Sequence, residues 1–172
     1  LVISRKDAIR LIRNGLISVD GRVIKSGDEK IDNTESCVYC DGQKISFEPE
    51  QYIMLNKPQG VVTTLSDPQG RKTVRDLITD IPERIYPVGR LDMDSEGLLL
   101  FTNDGDFANA LMHPKHEVKK TYDTWVTGFM PGAEMRLSQP IELDGYMIRP
   151  PKVSLIRAEG RKAKFRITIH EG

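Results

Sequence analysis

The sequence predicts an α+β fold, with a mainly antiparallel mixed sheet of about six to eight strands flanked by helices. Residues 121–127 and 163–169 alternate apolar and polar side chains, which is typical of half-buried strands. Residues 5–14 and 106–112 instead repeat apolar side chains at helical spacing. An Asp-Gly pair at residues 20–21 joins two short strand-like runs, a pattern typical of a β-hairpin.

The composition is that of a soluble globular protein, because 29% of the 172 residues are charged and 38% are hydrophobic. This length suits one large domain, or one domain with a small appendage. The longest apolar run has four residues, so we expect no membrane span, and we also expect no secretory signal. Two cysteines do not make a disulfide framework, so we expect a cytoplasmic protein.

Basic residues are concentrated in two segments, although the formal net charge is zero. Residues 149–166 carry seven Lys or Arg residues against one Glu, and residues 1–13 carry four against one Asp. Basic faces on a neutral chain suit a polyanion of defined shape. The alternative is that each cluster is an ordinary solvated surface.

Residues 1–46 are expected to form a small N-terminal module. Ser4 is a suitable N-cap for a helix over residues 5–14. The apolar stripe of this helix contains Ile9, Ile12 and Leu16, and Ala8 and Leu11 widen it. The basic side chains of the helix share its other face: Lys6, Arg10 and Arg13. The hairpin follows, and then a strand at residues 36–39 with a turn at residues 41–42.

Cys37 and Cys40 form a Cys-x-x-Cys pair. A structural zinc site would need further ligands, and no second pair exists. A redox motif usually opens a helix, whereas this context predicts a strand and a turn. We therefore expect two inert thiols.

Residues 47–172 are expected to form the larger domain, beginning with a short linker. Its strands are predicted at residues 52–56, 61–64, 98–101, 121–127, 153–156 and 163–169, with a hairpin at residues 141–148. Its helices are predicted at residues 73–78, 106–112 and 130–139. The apolar runs at residues 52–56 and 98–101 predict buried strands, and Phe107, Ala110 and Leu111 are expected to face the core.

A polar cluster lies between Gly89 and Gly97, directly before the apolar run at residues 98–101. It contains Asp92 and Asp94, and this spacing leaves three interpretations open. Two carboxylates on one loop can bind Mg²⁺, although neither a third ligand nor a phosphate-binding glycine motif supports this. One Asp can act as a nucleophile or as an acid–base group. Both can simply build a turn through Asx hydrogen bonds.

The N-terminal sequence at residues 4–21 resembles the small RNA-binding module shared by a small-subunit ribosomal protein and several RNA-modifying enzymes. This resemblance implies that Arg5, Arg10 and Arg13 contact phosphates. It also implies that the first helix of the module lies before Leu1.

The larger domain resembles the RsuA/RluB/RluE/RluF family of bacterial ribosomal RNA pseudouridine synthases. Residues 89–105, from Gly-Arg-Leu-Asp to Asn-Asp-Gly, match the family's signature without a gap. Residues 56–60 resemble its entry motif, residues 119–122 its Lys-x-Tyr motif, and residues 165–172 the strand that leads into its Arg-rich last motif. The resemblance therefore implies the pseudouridine synthase fold for this domain.

The resemblance also implies roles for individual residues. Asp92 takes the position of the catalytic aspartate, and Tyr122 that of the tyrosine that stacks on the target uracil. Arg90 lies where the family places a residue that can fill the gap left by a flipped base. The remaining RNA contacts implied near this site are Lys57, Lys119 and Lys120. The basic residue that pairs with the aspartate in the family is expected beyond Gly172.

The implied reaction isomerises uridine to pseudouridine in ribosomal RNA, without a metal, a small-molecule cofactor or a membrane. The sequence of residues 71–77 and 85–90 favours the large-subunit branch, and a small-subunit substrate is the alternative. A non-catalytic RNA-binding or assembly factor and a metal-dependent phosphodiesterase remain as competing hypotheses. We expect the protein to be a monomer.

Overall fold

The computed structural model describes residues 5–32, 35–46, 48–143 and 145–170. The chain divides into two compact units. Residues 1–51 and 78–85 form the first, which we call the N-terminal unit. Residues 52–77 and 86–172 form the second, which we call the C-terminal unit.

The N-terminal unit contains α1 (Arg5–Arg13), β1 (Ile17–Val19), β2 (Arg22–Val23), β3 (Val38–Cys40) and β4 (Gln43–Ile45). The strands and helices of the C-terminal unit are β5 (Tyr52–Lys57), β6 (Tyr86–Val88), β7 (Gly97–Thr102), α2 (Gly105–Met112), β8 (Lys120–Thr127), α3 (Ala133–Leu137), β9 (Ile141–Leu143), β10 (Tyr146–Ile148), β11 (Lys152–Glu159) and β12 (Lys162–Ile169). It also has two 3₁₀ turns, Val74–Leu77 and Pro114–His116.

The N-terminal unit is a four-stranded sheet in the order β2-β1-β3-β4, with α1 packed against it. The predicted hairpin is confirmed, because β1 pairs antiparallel with β2 across Asp20 and Gly21. Both turn residues have positive φ, 50° and 82°, as a tight hairpin turn of the I′ type requires. The predicted N-cap, Ser4, lies outside the described residues.

The core of this unit differs from the predicted apolar stripe. Ile17, Val19 and Ile24 are buried, and the helix contributes Leu11 and Ile12 to them. The predicted stripe residues Ile9 and Leu16 are instead 37% and 36% exposed. The prediction was wrong for these two, because Ile9 lies on an exposed part of α1 and Leu16 lies beyond the end of the helix at Arg13.

The described strands of the C-terminal unit form three separate antiparallel sheets, with strand orders β5-β7-β6, β11-β12-β8 and β10-β9. The predicted α+β class and antiparallel pairing are confirmed. The prediction of one mixed sheet with six to eight strands was wrong for the described residues, whose strands divide among smaller sheets. The hairpin of β9 and β10 is confirmed, although its turn residue Asp144 lies outside the described residues.

The apolar strands of the β5-β7-β6 sheet are buried on one face, not on both. In β7, Leu99 and Phe101 are 3% and 1% exposed, whereas Leu98 is 65% exposed. In β5, Met54 is 78% exposed. The prediction of fully buried strands was therefore wrong, because alternate side chains of a strand point to opposite faces of the sheet.

Three further element predictions need correction. Residues 61–64 form no strand, and Val62 makes an isolated parallel bridge to Thr73. In α2 the buried residue is Ala108, at 2% exposure, while the predicted core residue Ala110 is exposed. The helix predicted at residues 130–139 is shortened to Ala133–Leu137.

The pairing of β5 with β7 positions the loop between β6 and β7. Its register runs from Tyr52 opposite Thr102 to Lys57 opposite Gly97. Gly97 has φ of 130°, a conformation that glycine adopts far more readily than other residues. The chain can therefore leave the loop and enter β7 directly opposite Lys57. None of the described helices is long and apolar enough to cross a membrane.

We predict that Phe101→Ala lowers the free energy of unfolding by about 3–5 kcal/mol, because it removes a buried ring from the central strand β7. Leu98→Ala on the exposed face of the same strand is the matched control, with an expected loss of about 0.5 kcal/mol or less. Urea denaturation of both variants measures the difference. Equal losses would contradict the one-sided burial of β7.

Candidate active site

The predicted catalytic residue, Asp92, lies in the loop between β6 and β7, at residues 89–96. The backbone amide of Ser95 donates to the carbonyl oxygen of Asp92 at 3.1 Å and closes a turn. The side chains of Asp92 and Asp94 are both exposed. The loop therefore combines a hydrogen-bonded backbone with carboxylates that a substrate can reach.

A buried lysine ammonium holds this loop from beneath. Lys57, at the end of β5, has an exposed fraction of 0%. Its Nζ donates to the carbonyl oxygens of Asp92 at 2.9 Å, Ser95 at 2.7 Å and Pro58 at 3.1 Å, and lies 3.5 Å from that of Met93. An ammonium has three N–H donors, so the three shorter contacts account for all of them.

This geometry corrects the prediction that Lys57 contacts RNA. Its ammonium is buried and its donors are occupied by backbone carbonyls of its own chain. A buried charge is costly unless polar groups solvate it, and here the loop carbonyls do so. The loop and the lysine therefore depend on each other, and Lys57 acts on Asp92 through the backbone.

Three further hydrogen bonds tie the loop to the segment that follows β5. Thr63 Oγ1 donates to the carbonyl oxygen of Leu91 at 2.6 Å and accepts from the amide of Leu91 at 3.2 Å. The amide of Gly60 donates to the carbonyl oxygen of Met93 at 2.8 Å. The residues on both sides of Asp92 are thus held by residues 57–63.

Asp92 lines a cavity of about 390 Å³. This volume lies within the range of small-ligand sites, roughly 300–1,000 Å³. Its remaining lining residues are Val62, Thr63, Thr64, Ser66, Asp67, Pro68, Arg71, Arg90, Leu91 and Met93. The lining combines hydroxyl groups, two guanidinium groups and the carboxylates of Asp67 and Asp92.

Asp67 and Arg71 form a two-point ion pair in this lining. Arg71 Nε donates to Asp67 Oδ2 at 3.0 Å, and Nη2 donates to Oδ1 at 2.7 Å. The backbone amide of Arg71 also donates to Oδ2 at 3.0 Å. The hydrogen bonds from Arg71 lower the pKa of Asp67 from 3.8 to about 2, and that of Arg71 is raised by the same partner.

Tyr122, the predicted stacking residue, lies on β8 opposite Ile167 of β12 and is 40% exposed. Its neighbour Asp123 accepts two hydrogen bonds from Arg166, at 2.8 and 2.9 Å, and these lower the pKa of Asp123. This ion pair joins β8 to β12 beside the tyrosine. Among the described residues, the cavity lining contains Arg90 and Asp92 but not Tyr122.

Among the described residues, the remaining predicted RNA contacts are not part of the cavity lining. Lys119 is exposed, and Lys120 is half-buried at the start of β8. Arg5, Arg10 and Arg13 are exposed on α1 in the N-terminal unit, where Arg10 lies 3.6 Å from Asp7. These three arginines of α1 are therefore open to solvent, and their contact with phosphates stays a prediction.

The described residues contain no cluster of three or more His, Cys, Asp or Glu side chains arranged to hold a metal ion. This result gives no support to the interpretation of Asp92 and Asp94 as metal ligands. Cys37 and Cys40 are free and half-buried in the N-terminal unit.

The sequence interpretation missed Thr63, Asp67 and Arg71. Of these, the Asp and Arg four residues apart around Gly70 carried a usable signal, because this spacing suits a closed ionic turn.

We predict that Asp67 stabilises the fold in a pH-dependent manner. Because its folded pKa lies below its unfolded value, its contribution is present above about pH 4 and is lost as the pH falls through about 2. The difference in unfolding free energy between wild type and Asp67→Asn should therefore shrink on acidification. Urea denaturation at stepwise pH measures this difference, with Asp94→Asn as the exposed control. A difference that does not change with pH would contradict the ion pair.

Comparison with known proteins shows the family of this chain. The model of the family described as RNA pseudouridylate synthase matches residues 51–172. An RNA pseudouridine synthase of Aquifex aeolicus is 41% identical over 173 residues, covering 99% of this chain and 70% of the relative. The ribosomal large subunit pseudouridine synthase B of Bacillus subtilis is 42% identical over 174 residues, covering 99% and 71%.

A solved structure described as a pseudouridylate synthase is also similar. It matches with a TM-score of 0.63 and 30% identity, covering 99% of this chain and 73% of that chain. The loop that carries Asp92, the residues Lys57 and Thr63 that hold it, and the cavity lining all lie within the residues that the family model matches. The chain therefore belongs to the RNA pseudouridylate synthase family and is of the RsuA/RluB type.

Proposed function

We propose that this enzyme converts a specific uridine of large-subunit ribosomal RNA to pseudouridine, with Asp92 as its catalytic aspartate. The observation that carries the proposal is the exposed carboxylate of Asp92, which lines a cavity of about 390 Å³. The backbone of the loop that carries this aspartate is held by hydrogen bonds from Lys57 and Thr63. The large-subunit substrate is supported by the name of the relative in Bacillus subtilis, which acts on that subunit.

The reaction breaks the bond between N1 of the base and C1′ of the ribose. The uracil turns, C5 bonds to C1′, and the proton lost from C5 is balanced by one gained at N1. No atom is added or removed, so the isomerisation needs no oxidant, reductant or group donor. In this scheme Asp92 either attacks C1′ or assists removal of the C2′ proton, and both roles need its carboxylate at the sugar.

The target base must leave its stack to reach Asp92, which costs a few kcal/mol. In this proposal Arg90, which is exposed and lines the same cavity, occupies the gap that the flipped base leaves. Stacking of the base on Tyr122 would return about 1–3 kcal/mol. In this proposal Tyr122 meets the base when RNA is bound, and its 40% exposure leaves the ring accessible.

The proposal assigns the remaining affinity to phosphate contacts. Arg5, Arg10 and Arg13 present three exposed guanidinium groups on α1. Lys119 and Lys120 lie just before Tyr122 in the chain. Such contacts release counterions, so RNA binding should weaken steeply with salt.

We further propose that residues 1–46 act as an RNA-binding module, that residues 47–172 form the catalytic domain, and that the enzyme works as a cytoplasmic monomer.

We predict that Asp92→Asn lowers pseudouridine formation by on the order of 10³-fold or more, because the amide cannot replace the reacting carboxylate. Tritium release from C5-labelled uridine in large-subunit and small-subunit ribosomal RNA transcripts measures the reaction. Asp94→Asn is the matched control, since Asp94 is exposed on the same loop and does not line the cavity. It should keep most of the activity.

Retained activity in Asp92→Asn would overturn the catalytic assignment. Turnover of the small-subunit transcript alone would move the substrate to the other subunit. RNA binding that survives in Asp92→Asn, measured by fluorescence anisotropy, separates loss of chemistry from loss of folding.

A further inference from the structure

We propose that Arg71, held by Asp67, is a binding site for an RNA phosphate next to the uridine that Asp92 isomerises. The inference rests on the proposed function, because it adds a substrate contact to the same cavity. Arg71 and Asp92 both line that cavity, and Arg71 belongs to the loop that follows Val62 and Thr63.

The guanidinium of Arg71 has donors left over after pairing with Asp67. An arginine carries five N–H donors, and the ion pair uses the one on Nε and one on Nη2. The edge formed by Nη1 and the second Nη2 hydrogen remains, and this fork matches two oxygens of a phosphate. Exposure agrees with this division, since the Asp67 side chain is 5% exposed and that of Arg71 is 47% exposed.

The turn that carries Arg71 fixes the direction of the fork. Asp67 binds both the side chain and the backbone amide of Arg71. The amide of Gly70 donates to the carbonyl oxygen of Asp67 at 3.1 Å, and Gly70 has φ of 69°, which glycine tolerates. Because the long side chain is already ordered, little further entropy is lost when it binds an anion.

The surroundings favour a phosphate over a neutral group. Asp67 is shielded and Arg71 is open, so the pair presents positive charge to the cavity. Arg90 adds a second guanidinium to the same lining. A nucleotide whose ribose reaches Asp92 carries a phosphate on each side of that ribose, and two cations beside the carboxylate can receive one of them.

A purely structural role for the Asp67–Arg71 pair predicts different behaviour. If the pair only closes its turn, its loss lowers stability but leaves the salt dependence of RNA binding unchanged. If Arg71 binds a phosphate, its loss removes one counterion-releasing contact. The negative slope of log K against log salt then becomes less steep, by about 0.7–0.9. The salt slope therefore separates the two roles.

The test compares Arg71→Gln, Arg71→Lys, Asp67→Asn and Lys72→Gln with wild type. Lys72 is the matched control because it is the exposed neighbouring cation and does not line the cavity. For a large-subunit ribosomal RNA transcript, Arg71→Gln should raise KM about 10-fold with little change in kcat, and should lower the salt slope. Arg71→Lys should keep the slope with an intermediate KM, since the charge stays and the fork is lost.

Asp67→Asn should raise KM less than Arg71→Gln does and leave the salt slope unchanged, because Arg71 keeps its charge but loses its orientation. Lys72→Gln should resemble wild type in KM. An unchanged KM and salt slope in Arg71→Gln, or an equal effect in Lys72→Gln, would overturn the proposal.

Equilibrium binding of the same transcript by the same variants, measured by fluorescence anisotropy, needs no turnover. If wild type binds the transcript but forms no pseudouridine, the proposed function fails, while the salt slope still decides whether Arg71 meets a phosphate. Circular dichroism of each variant identifies any loss of folding, and Arg71→Lys then provides the variant that keeps the turn.

Discussion

The structure of the site depends on one interaction, the solvation of the buried Lys57 ammonium by backbone carbonyls. Asp92, Ser95 and Pro58 each provide an oxygen within 3.1 Å of Nζ. A buried charge is costly unless polar groups solvate it, so the ammonium depends on these carbonyl oxygens. The contact uses backbone atoms of Asp92, so its carboxylate remains exposed and available for chemistry.

This arrangement explains how the entry motif and the aspartate motif come into contact although they are far apart in sequence. Lys57 lies 35 residues before Asp92, and Thr63 lies 28 residues before Leu91. The antiparallel pairing of β5 with β7 brings Lys57 opposite Gly97, where the loop ends. The sheet therefore positions Lys57, whose hydrogen bonds hold the loop at residues 89–96. The loop in turn places Asp92 in the lining of the cavity.

The sequence predicted the features that local chemistry determines, such as the Asp-Gly hairpin, the end of α2 before Pro114, and the family motif around Asp92. It did not predict that only one face of each apolar strand is covered. Leu98 and Met54, which were expected to be buried, are exposed on the other face. It also assigned Lys57 to RNA. The sequence does not distinguish a lysine whose ammonium binds phosphate from one whose ammonium binds backbone carbonyl oxygens. Here the pairing of β5 with β7 places Lys57 against the carbonyl oxygens.

The most direct test of this account is amide hydrogen exchange of residues 91–97 in Lys57→Met, which keeps the bulk of the side chain but removes its charge. The amides of Leu91 and Ser95, which bond to Thr63 and Asp92, should exchange faster than in wild type. The amides of β1 and β3 in the N-terminal unit serve as an internal reference and should not change. Unchanged exchange at Leu91 and Ser95 would contradict the claim that the buried ammonium holds the loop that carries Asp92.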